Sequence, residues 1–203
     1  NQISVKPYLD VEQDLKRQAK RRLVISSSLN GQLKSAIKNP ITLSPSPVSL
    51  MKCIKNETEQ NGFRRAMERD GVAMVKFLKW LKPAVEAGGQ TEMSIDKKLY
   101  EYRAEQAHFK GVSFDTIAGY GAHGAIVHYE ATPETDVQLE SRGLLLLDSG
   151  AQYLDGTTDL TRTIPLGPLT DDEKRNYTLV LKGMLHIMNI QFPEGTCGTQ
   201  LDV

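Results

Sequence analysis

The sequence contains little cysteine, and its two cysteines lie far apart. Cys53 and Cys197 stand near opposite ends of the chain and form no C-x-x-C pair. A disulfide scaffold or a zinc knuckle requires several closely spaced cysteines, so the sequence predicts neither. We expect both thiols to be reduced. Reduced thiols are typical of a cytoplasmic protein, which is the location that we expect, and no secretory signal is visible.

The chain also lacks an excess of charge of either sign, and it lacks long apolar segments. It has 25 Lys and Arg residues against 25 Asp and Glu residues. Balanced charge does not favour binding to nucleic acid or to an anionic membrane surface. A transmembrane helix needs about 20 consecutive apolar residues, and no run approaches that length. The composition predicts a globular protein of one or two domains, without nucleic-acid or membrane partners.

A proline-rich segment divides the chain into two parts. Pro40, Pro45 and Pro47 lie in the stretch NPITLSPSPVSL. Proline interrupts helices and biases the preceding residue toward extended geometry. We therefore predict that residues 1–49 are the end of one domain and that residues 50–203 belong to a second.

Helical patterns alternate with hairpin patterns in the second part. Capping-box spacing predicts helices over 57–82 and 171–190, and Thr91 is expected to open a helix over 92–109. The stretches SFDTIAGYGAHGAIVHYEAT and LLLL predict strands with tight turns. We expect an α+β fold whose antiparallel sheet is covered by the apolar faces of the first and last of these helices. The residues predicted on those faces are Phe63, Met67, Met74, Leu78 and Leu81 in the first helix, and Tyr177, Leu181, Met184 and Met188 in the last.

Two aspartates in LLLLDSGAQYLDGTTDLTRT are candidate metal ligands. A two-residue turn at Asp155–Gly156 would place Asp159 opposite Gln152, four residues along the strand from Asp148. Because side chains alternate with a period of two, both carboxylates are predicted on the same face, about 13 Å apart in a regular ladder. That separation is too long for one metal ion. A wider turn or a β-bulge would be needed to shorten it.

The residues alone leave two interpretations of these aspartates open. In the first, Asp148 only ends a strand and Asp159 lies on a solvated edge. In the second, Asp148 is partly buried because it directly follows four leucines, and a buried carboxylate needs a cation, a metal ion or several donors. Carboxylates are suitable ligands for Mn, Mg or Ca ions. No other group of acids or histidines in the sequence has ligand-like spacing.

Together with other segments, this stretch resembles a known family. DSGAQYLDGTTDLTRT resembles the metal-binding hairpin of the Xaa-Pro aminopeptidases (aminopeptidase P), which are metallopeptidases with the pita-bread fold. The resemblance covers residues 45–203, whereas residues 1–44 match the end of a creatinase-like domain only loosely. It implies that the second part is the first half of a pita-bread catalytic domain. The other similar segments, in order, are KNETEQNGFRRAMERDGVAMVKFLKWL, SFDTIAGYGAHGAIVHY, TIPLGPLTDDEKRNYTLVLKGM and FPEGTCGTQLD.

The resemblance implies a centre of two divalent metal ions, most often manganese, with the ligands Asp, Asp, His, Glu and Glu. Asp148 and Asp159 match the first two ligands, and Asp159 would bridge the ions. In the family, the other three ligands lie downstream of the FPEGT segment. We therefore expect this chain to be a fragment that is inactive on its own.

The four histidines differ in what the resemblance implies for them. His128, in IVHY, matches the residue that contacts the substrate and helps to stabilise the tetrahedral intermediate. Without the resemblance, a hydrogen-bonded histidine between strands is the simpler interpretation. The family commonly has Asn in place of His123, so no role is carried over to it. His108 and His186 are expected in helices, as surface or packing residues.

The implied activity is the release of the N-terminal residue from peptides with proline in second position. In this reaction a hydroxide that bridges the metal ions attacks the carbonyl before proline. The implied partners are a peptide substrate and a second copy in a homodimer. Two alternatives remain: a prolidase-type dipeptidase of the same fold, and a non-catalytic pita-bread binding module.

Overall fold

The computed structural model describes residues 4–18, 20–38, 40–43 and 46–202, apart from the side chain of Leu43. The chain forms two compact units, residues 1–60 and residues 61–203. The predicted division after residue 49 falls within a helix of the first unit. The assignment of the two parts to a creatinase-like domain and a catalytic domain stays a prediction.

The first unit is a small α/β arrangement. Its two strands pair in parallel, with Leu23 opposite Pro40. Ile25 and Ile37 are its buried apolar residues in the described part of the chain. The elements are α1 (Val11–Arg17), β1 (Leu23–Ser26), α2 (Gly31–Ser35), β2 (Pro40–Leu43) and α3 (Pro47–Cys53).

The second unit contains two antiparallel three-stranded sheets and three helices, which confirms the predicted α+β class. The strand orders are β4–β5–β8 and β3–β6–β7. No helix in the described ranges is both long enough and apolar enough to cross a membrane. Its helices are α4 (Glu57–Ala87, which begins in the first unit), α5 (Glu92–Ala104) and α6 (Asp171–Asn189), and its strands are β3 (Phe109–Val112), β4 (Ile117–Tyr120), β5 (Leu144–Ser149), β6 (Ala151–Tyr153), β7 (Gly156–Thr157) and β8 (Leu160–Pro165).

The predicted helix starts are confirmed, but two predicted ends are wrong. The first helix was predicted to end at residue 82, and α4 continues through Pro83 to Ala87. Asn56 and Glu59 exchange hydrogen bonds of 2.8 and 2.9 Å between side chain and backbone, and Thr91 caps α5. However, α5 ends at Ala104 instead of continuing to 109, and β3 begins five residues later. His108 therefore lies outside the helix, with φ +69°.

One side of the β4–β5–β8 sheet forms the main core of the second unit. Leu145 and Leu147 of β5 alternate inward and are fully buried. They pack in one cluster with residues of α4 and α5, because an antiparallel sheet buries every second side chain against covering helices. The helical members include Phe77, Leu81, Ile95 and Leu99.

The buried face of α4 is rotated from the predicted one. Phe63 and Met67 are exposed, whereas Ala66, Asp70 and Ala73 are buried. The predicted face is therefore wrong in its N-terminal half, although Met74 and Leu81 do lie in the core. A small side chain is needed at Ala66 because Gly156 approaches this part of the helix closely.

The prediction that α6 packs on the sheet is also wrong. None of its described residues is buried. Tyr177, Val180, Met184 and Met188 on this helix are all exposed. An amphipathic pattern shows that a helix face suits an apolar partner, but it does not specify which partner.

Candidate active site

Residues 144–165 form one long hairpin, here called the two-aspartate hairpin. In β5 and β8, Asp148 pairs with Thr161 and Ser149 pairs with Leu160. Beyond Gly150 the same register continues, with Gln152 opposite Thr157. The two-residue turn is therefore Leu154–Asp155, one position earlier than predicted.

This register corrects the predicted distance between the two aspartates. Asp159 lies two residues from Thr161, the partner of Asp148. If side chains alternate without interruption through Asp159, which lies just before β8, this register again places Asp148 and Asp159 on the same face. They are diagonal neighbours, for which about 7–8 Å is typical, so the value of 13 Å is wrong. We call this side of the sheet, with Leu146, Asp148, Asp159 and Thr161, the aspartate face.

The two carboxylates differ in exposure, and neither forms an ion pair with a described residue. Asp148 is half-buried, and the Thr161 hydroxyl donates a 2.8 Å hydrogen bond to its Oδ1. Asp159 is exposed. Within the described ranges, no group of three or more His, Cys, Asp or Glu side chains is arranged to hold a metal ion. The aspartate face thus presents two carboxylates, and their remaining oxygen atoms are available to a cation.

Close packing against α4 determines where the hairpin turns. A Cβ added at Gly62 would collide with the carbonyl oxygen of Asp155, and one at Gly156 would lie 2.9 Å from the Ala66 Cβ. The Asp155 carboxylate accepts hydrogen bonds from Arg65 and Arg69. Gly156 is therefore required for close approach to the helix and not for a positive φ, which explains why the turn was misplaced.

A buried polar network lies beneath the hairpin, and sequence reasoning did not find it. Arg103 of α5 donates two hydrogen bonds to Asp70 of α4, at 2.8 and 3.1 Å. Tyr153 of β6 donates to the same carboxylate at 3.0 Å, and Arg103 also reaches the Gly150 carbonyl at 3.4 Å. Burial, reinforced by the Asp70 carboxylate, raises the pKa of Tyr153. This network holds the hairpin at the position where its two sheets meet.

The segment with the predicted substrate histidine is not a strand. Residues Gly121–Ala125 form a 3-10 helix, and a turn follows. His128 lies in that turn with φ +57° and is exposed. No hydrogen bond from its ring is found among the described residues, so the alternative of a hydrogen-bonded histidine between strands is wrong. We call residues 121–129 the His128 loop.

His123, to which no role was assigned, contacts a buried acid. Its Nδ1 lies 2.9 and 3.0 Å from the two carboxylate oxygens of Glu92. Glu92 is fully buried in the first turn of α5. No local pattern could reveal this pair, because its members are 31 residues apart in sequence.

Comparison with known proteins identifies the family. Residues 61–203 match the model of metallopeptidase family M24. The chain belongs to metallopeptidase family M24. Within this M24 chain, the matched range contains the two-aspartate hairpin, the His128 loop and the buried network described above.

Two curated relatives of this M24 chain are named as aminopeptidases. It is 39% identical, over its whole length, to a probable Xaa-Pro aminopeptidase P of Paracoccidioides brasiliensis. It is 40% identical, over 80% of its length, to aminopeptidase P1 of Arabidopsis thaliana. It spans 36% and 28% of the lengths of these two relatives, respectively.

Solved structures show the same architecture. The X-prolyl aminopeptidase of Caenorhabditis elegans, described as a cytosolic enzyme with a di-nuclear active site, matches 98% of the chain with a TM-score of 0.85 and 31% identity. The chain covers 34% of that protein. The prolidase of Pyrococcus horikoshii matches 98% of the chain with a TM-score of 0.77 and 25% identity, and 56% of that protein is covered. These matches confirm the predicted pita-bread architecture.

Proposed function

We propose that this chain is part of a metal-dependent Xaa-Pro aminopeptidase, which releases the N-terminal residue from peptides with proline in second position. The observation that carries the proposal is the pair of carboxylates, without a cation among the described residues, on the aspartate face of an M24 hairpin. The supporting comparison is the identity of 39% across the whole chain to a probable Xaa-Pro aminopeptidase P.

The chemistry of the donors fits divalent metal ions. Asp148 and Asp159 offer carboxylate oxygens without a competing cation among the described residues, and hard oxygen donors suit Mn²⁺. We propose that both residues bind a centre of two divalent ions, with manganese as the metal. When bound, such ions polarise a carbonyl group and lower the pKa of bound water. Two carboxylates do not enclose two ions, so one His and two Glu from elsewhere in the protein are proposed to complete the centre.

His128 is proposed to contact the substrate. Its exposed ring makes no hydrogen bond within the described ranges, so a ring N–H is available to donate to a carbonyl oxygen. A donor aimed at the oxygen on which negative charge develops lowers the barrier to acyl transfer. We also propose a cytoplasmic location and a homodimer, as the family resemblance implies.

The prolidase-type dipeptidase is the second candidate. Its support is the structural match to the P. horikoshii prolidase over 98% of the chain. The two candidates differ in substrate length, since a dipeptidase acts on Xaa-Pro itself and an aminopeptidase on longer peptides.

The test uses the intact protein, which here means the product that the source cell makes from this gene. We expect Mn²⁺-dependent release of the first residue from a tripeptide Xaa-Pro-Xaa, with lower activity on the dipeptide Xaa-Pro. Asp159→Asn is expected to reduce kcat/KM by about a hundredfold or more, because a metal ligand contributes at least as much as its supporting residues. Asp172→Asn, which changes an exposed aspartate on α6, is the matched control.

Three results would contradict the proposal or change it. Preference for the dipeptide would favour the prolidase. An inactive intact protein that binds no Mn²⁺ would favour the non-catalytic module. We expect the isolated 203-residue polypeptide to be inactive, and Mn²⁺-dependent release by it would show that two of the five proposed ligands are sufficient.

A further inference from the structure

One residue of the His128 loop, Gly124, lies against the aspartate face. A Cβ added at Gly119 of β4 would lie 2.8 Å from the Gly124 nitrogen, and one at Gly124 would lie 3.4 Å from the Leu146 Cβ. The loop thus passes over β4 at Gly124, on the side where Leu146 projects. Leu146 and Asp148 are two residues apart in β5, so they project from the same side.

The backbone of His128 is in an uncommon conformation. Its turn is closed by a hydrogen bond from the Tyr129 N–H to the Ile126 carbonyl, at 3.3 Å. Within this turn His128 has φ +57°, which is in the left-handed region that residues with a Cβ rarely occupy. Such a conformation persists only when surrounding contacts hold it in place, and it is frequent at functional sites.

Tyr129, the next residue, is an anchor for this turn. Its ring is buried and lies 4.5 Å from the His123 ring, between centroids. Its hydroxyl donates a 2.8 Å hydrogen bond to Oε2 of Glu92. The exposed His128 is therefore attached to a residue whose side chain is fixed in the interior.

Glu92 connects the residue before the loop with the middle and the end of the loop. Its Oε1 accepts a 2.7 Å hydrogen bond from the backbone N–H of Tyr120, just before the loop. Its carboxylate also contacts His123 Nδ1 and the Tyr129 hydroxyl. A fully buried carboxylate is stable only when its oxygens accept hydrogen bonds. Loss of any of these three contacts would therefore leave the Glu92 carboxylate with fewer partners in an apolar interior.

We propose that Glu92, together with His123 and Tyr129, is a positioning set that holds His128 in its left-handed turn. This inference rests on the proposed function, in which His128 contacts substrate. Glu92 does not touch the substrate and acts through the loop. The contact through Nδ1 also specifies which replacement of His123 preserves the set. The amide nitrogen of Asn occupies about the position of Nδ1, whereas the amide of Gln extends beyond it.

The first measurement is amide hydrogen exchange of residues 121–129 in the intact protein. Tyr129→Phe removes the hydroxyl that donates to Glu92, and Glu92→Gln places an amide donor against another donor. Each variant is expected to raise the rate of amide exchange in the loop about tenfold. His123→Gln is expected to do the same, and His123→Asn is expected to exchange like the wild type. Tyr120→Phe is the matched control, since its hydroxyl donates to the Arg142 carbonyl and not to Glu92.

The second measurement is a double-mutant cycle on peptide cleavage. Tyr129→Phe is expected to lower kcat about tenfold with little change in KM, because His128 acts mainly in the transition state. In a His128→Ala background the same change is expected to have no further effect, since a positioning residue that acts through His128 has nothing left to position. A purely structural defect would lower activity equally in both backgrounds, and this would overturn the proposal.

The two measurements separate this inference from the proposed function. Loop exchange in Tyr129→Phe that is no faster than in Tyr120→Phe would also overturn the positioning set. If Glu92→Gln does not fold, Tyr129→Phe and the two His123 variants carry the test. An inactive wild type would contradict the proposed function alone, and the exchange measurement would still decide whether the set holds the turn.

Discussion

The two sides of the two-aspartate hairpin hold carboxylates in opposite ways. Beneath it, the fully buried Asp70 is paired with Arg103 at 2.8 Å and receives a third hydrogen bond from Tyr153. On the aspartate face, Asp148 receives one hydroxyl donor, and Asp159 is exposed. Neither of the latter forms an ion pair with any residue that the structure describes.

This difference distinguishes acids that hold the fold together from acids that are free to bind a ligand. A buried carboxylate must be neutralised by the protein itself, and Asp70 is. Two carboxylates that lie near each other without a cation repel each other weakly, and a divalent ion removes that repulsion. We therefore expect the two sides to respond to mutation in opposite ways.

The largest expected effect is on stability, from breaking the buried pair. Arg103→Met leaves the Asp70 charge buried with one hydroxyl donor, and this should lower the free energy of unfolding by about 3–5 kcal/mol. The double variant Asp70→Leu/Arg103→Met should recover much of that loss, because no charge is then left unpaired. Urea unfolding of the intact protein measures both.

Lys76→Met is the control for this comparison. It breaks the exposed ion pair with Glu105 and should lower the free energy of unfolding by less than about 1 kcal/mol. A loss for Arg103→Met as small as that of Lys76→Met would show that the buried network does not brace the hairpin.

On the other side, Asp148→Asn should affect metal binding instead of folding. Without metal, the melting temperature should be unchanged or slightly higher, because one of two neighbouring negative charges is removed. The increase in melting temperature on adding Mn²⁺ should be lost, since a ligand stabilises a protein only in proportion to its binding. Thermal unfolding of the intact protein with and without Mn²⁺ measures this, and an unchanged metal-induced shift would exclude Asp148 as a ligand.

Two glycines of α4 test how closely the hairpin approaches that helix. Gly62→Ala should destabilise the protein by about 1–3 kcal/mol, because the new methyl group collides with the Asp155 carbonyl. Gly71→Ala, in the same helix with open space around it, should stabilise the protein by up to about 1 kcal/mol through helix propensity. Equal effects of the two substitutions, measured by urea unfolding, would contradict the close packing.

The smallest expected effect concerns Asp96 in α5, an acid whose burial lies between that of the buried Asp70 and that of the exposed Asp159. Burial raises its pKa, despite a hydrogen bond to Thr116. A raised folded-state pKa means that the charged form is disfavoured by folding, so the contribution of Asp96 to stability is largest at low pH and is lost as pH rises through that pKa. Asp96→Asn should therefore slightly raise the melting temperature at pH 7, and the gain should vanish toward pH 4. A gain that does not depend on pH would show that charge is not the cause.

The comparison also shows which parts of the site were predictable. The prediction that Asp148 and Asp159 share a face follows from the period of two. The observed register is consistent with it, because that register differs from the predicted one by an even number of residues. Their separation was not predictable, because it depends on the turn. The position of the turn was decided by the contact of Gly156 with Ala66, on a helix that is distant in sequence.

Helix starts were predictable because capping is local, with partners three residues apart. The buried face of α4 was not, since Asp70 appears polar in sequence and is buried only because Arg103 reaches it from α5. Glu92 was missed for the same reason, because its partners Tyr120, His123 and Tyr129 lie about 30 residues away or more.

The sequence by itself thus determined the α+β class, the capped helix starts, the shared face of the two aspartates and the family resemblance, because each depends on short-range periodicity or on contiguous motifs. Only the tertiary structure decided the distance between the aspartates, the pairing of Asp70 with Arg103 and the attachment of the His128 loop to Glu92. These features arise from contacts between segments far apart in the chain, and their geometry is set by close packing, which no local pattern records.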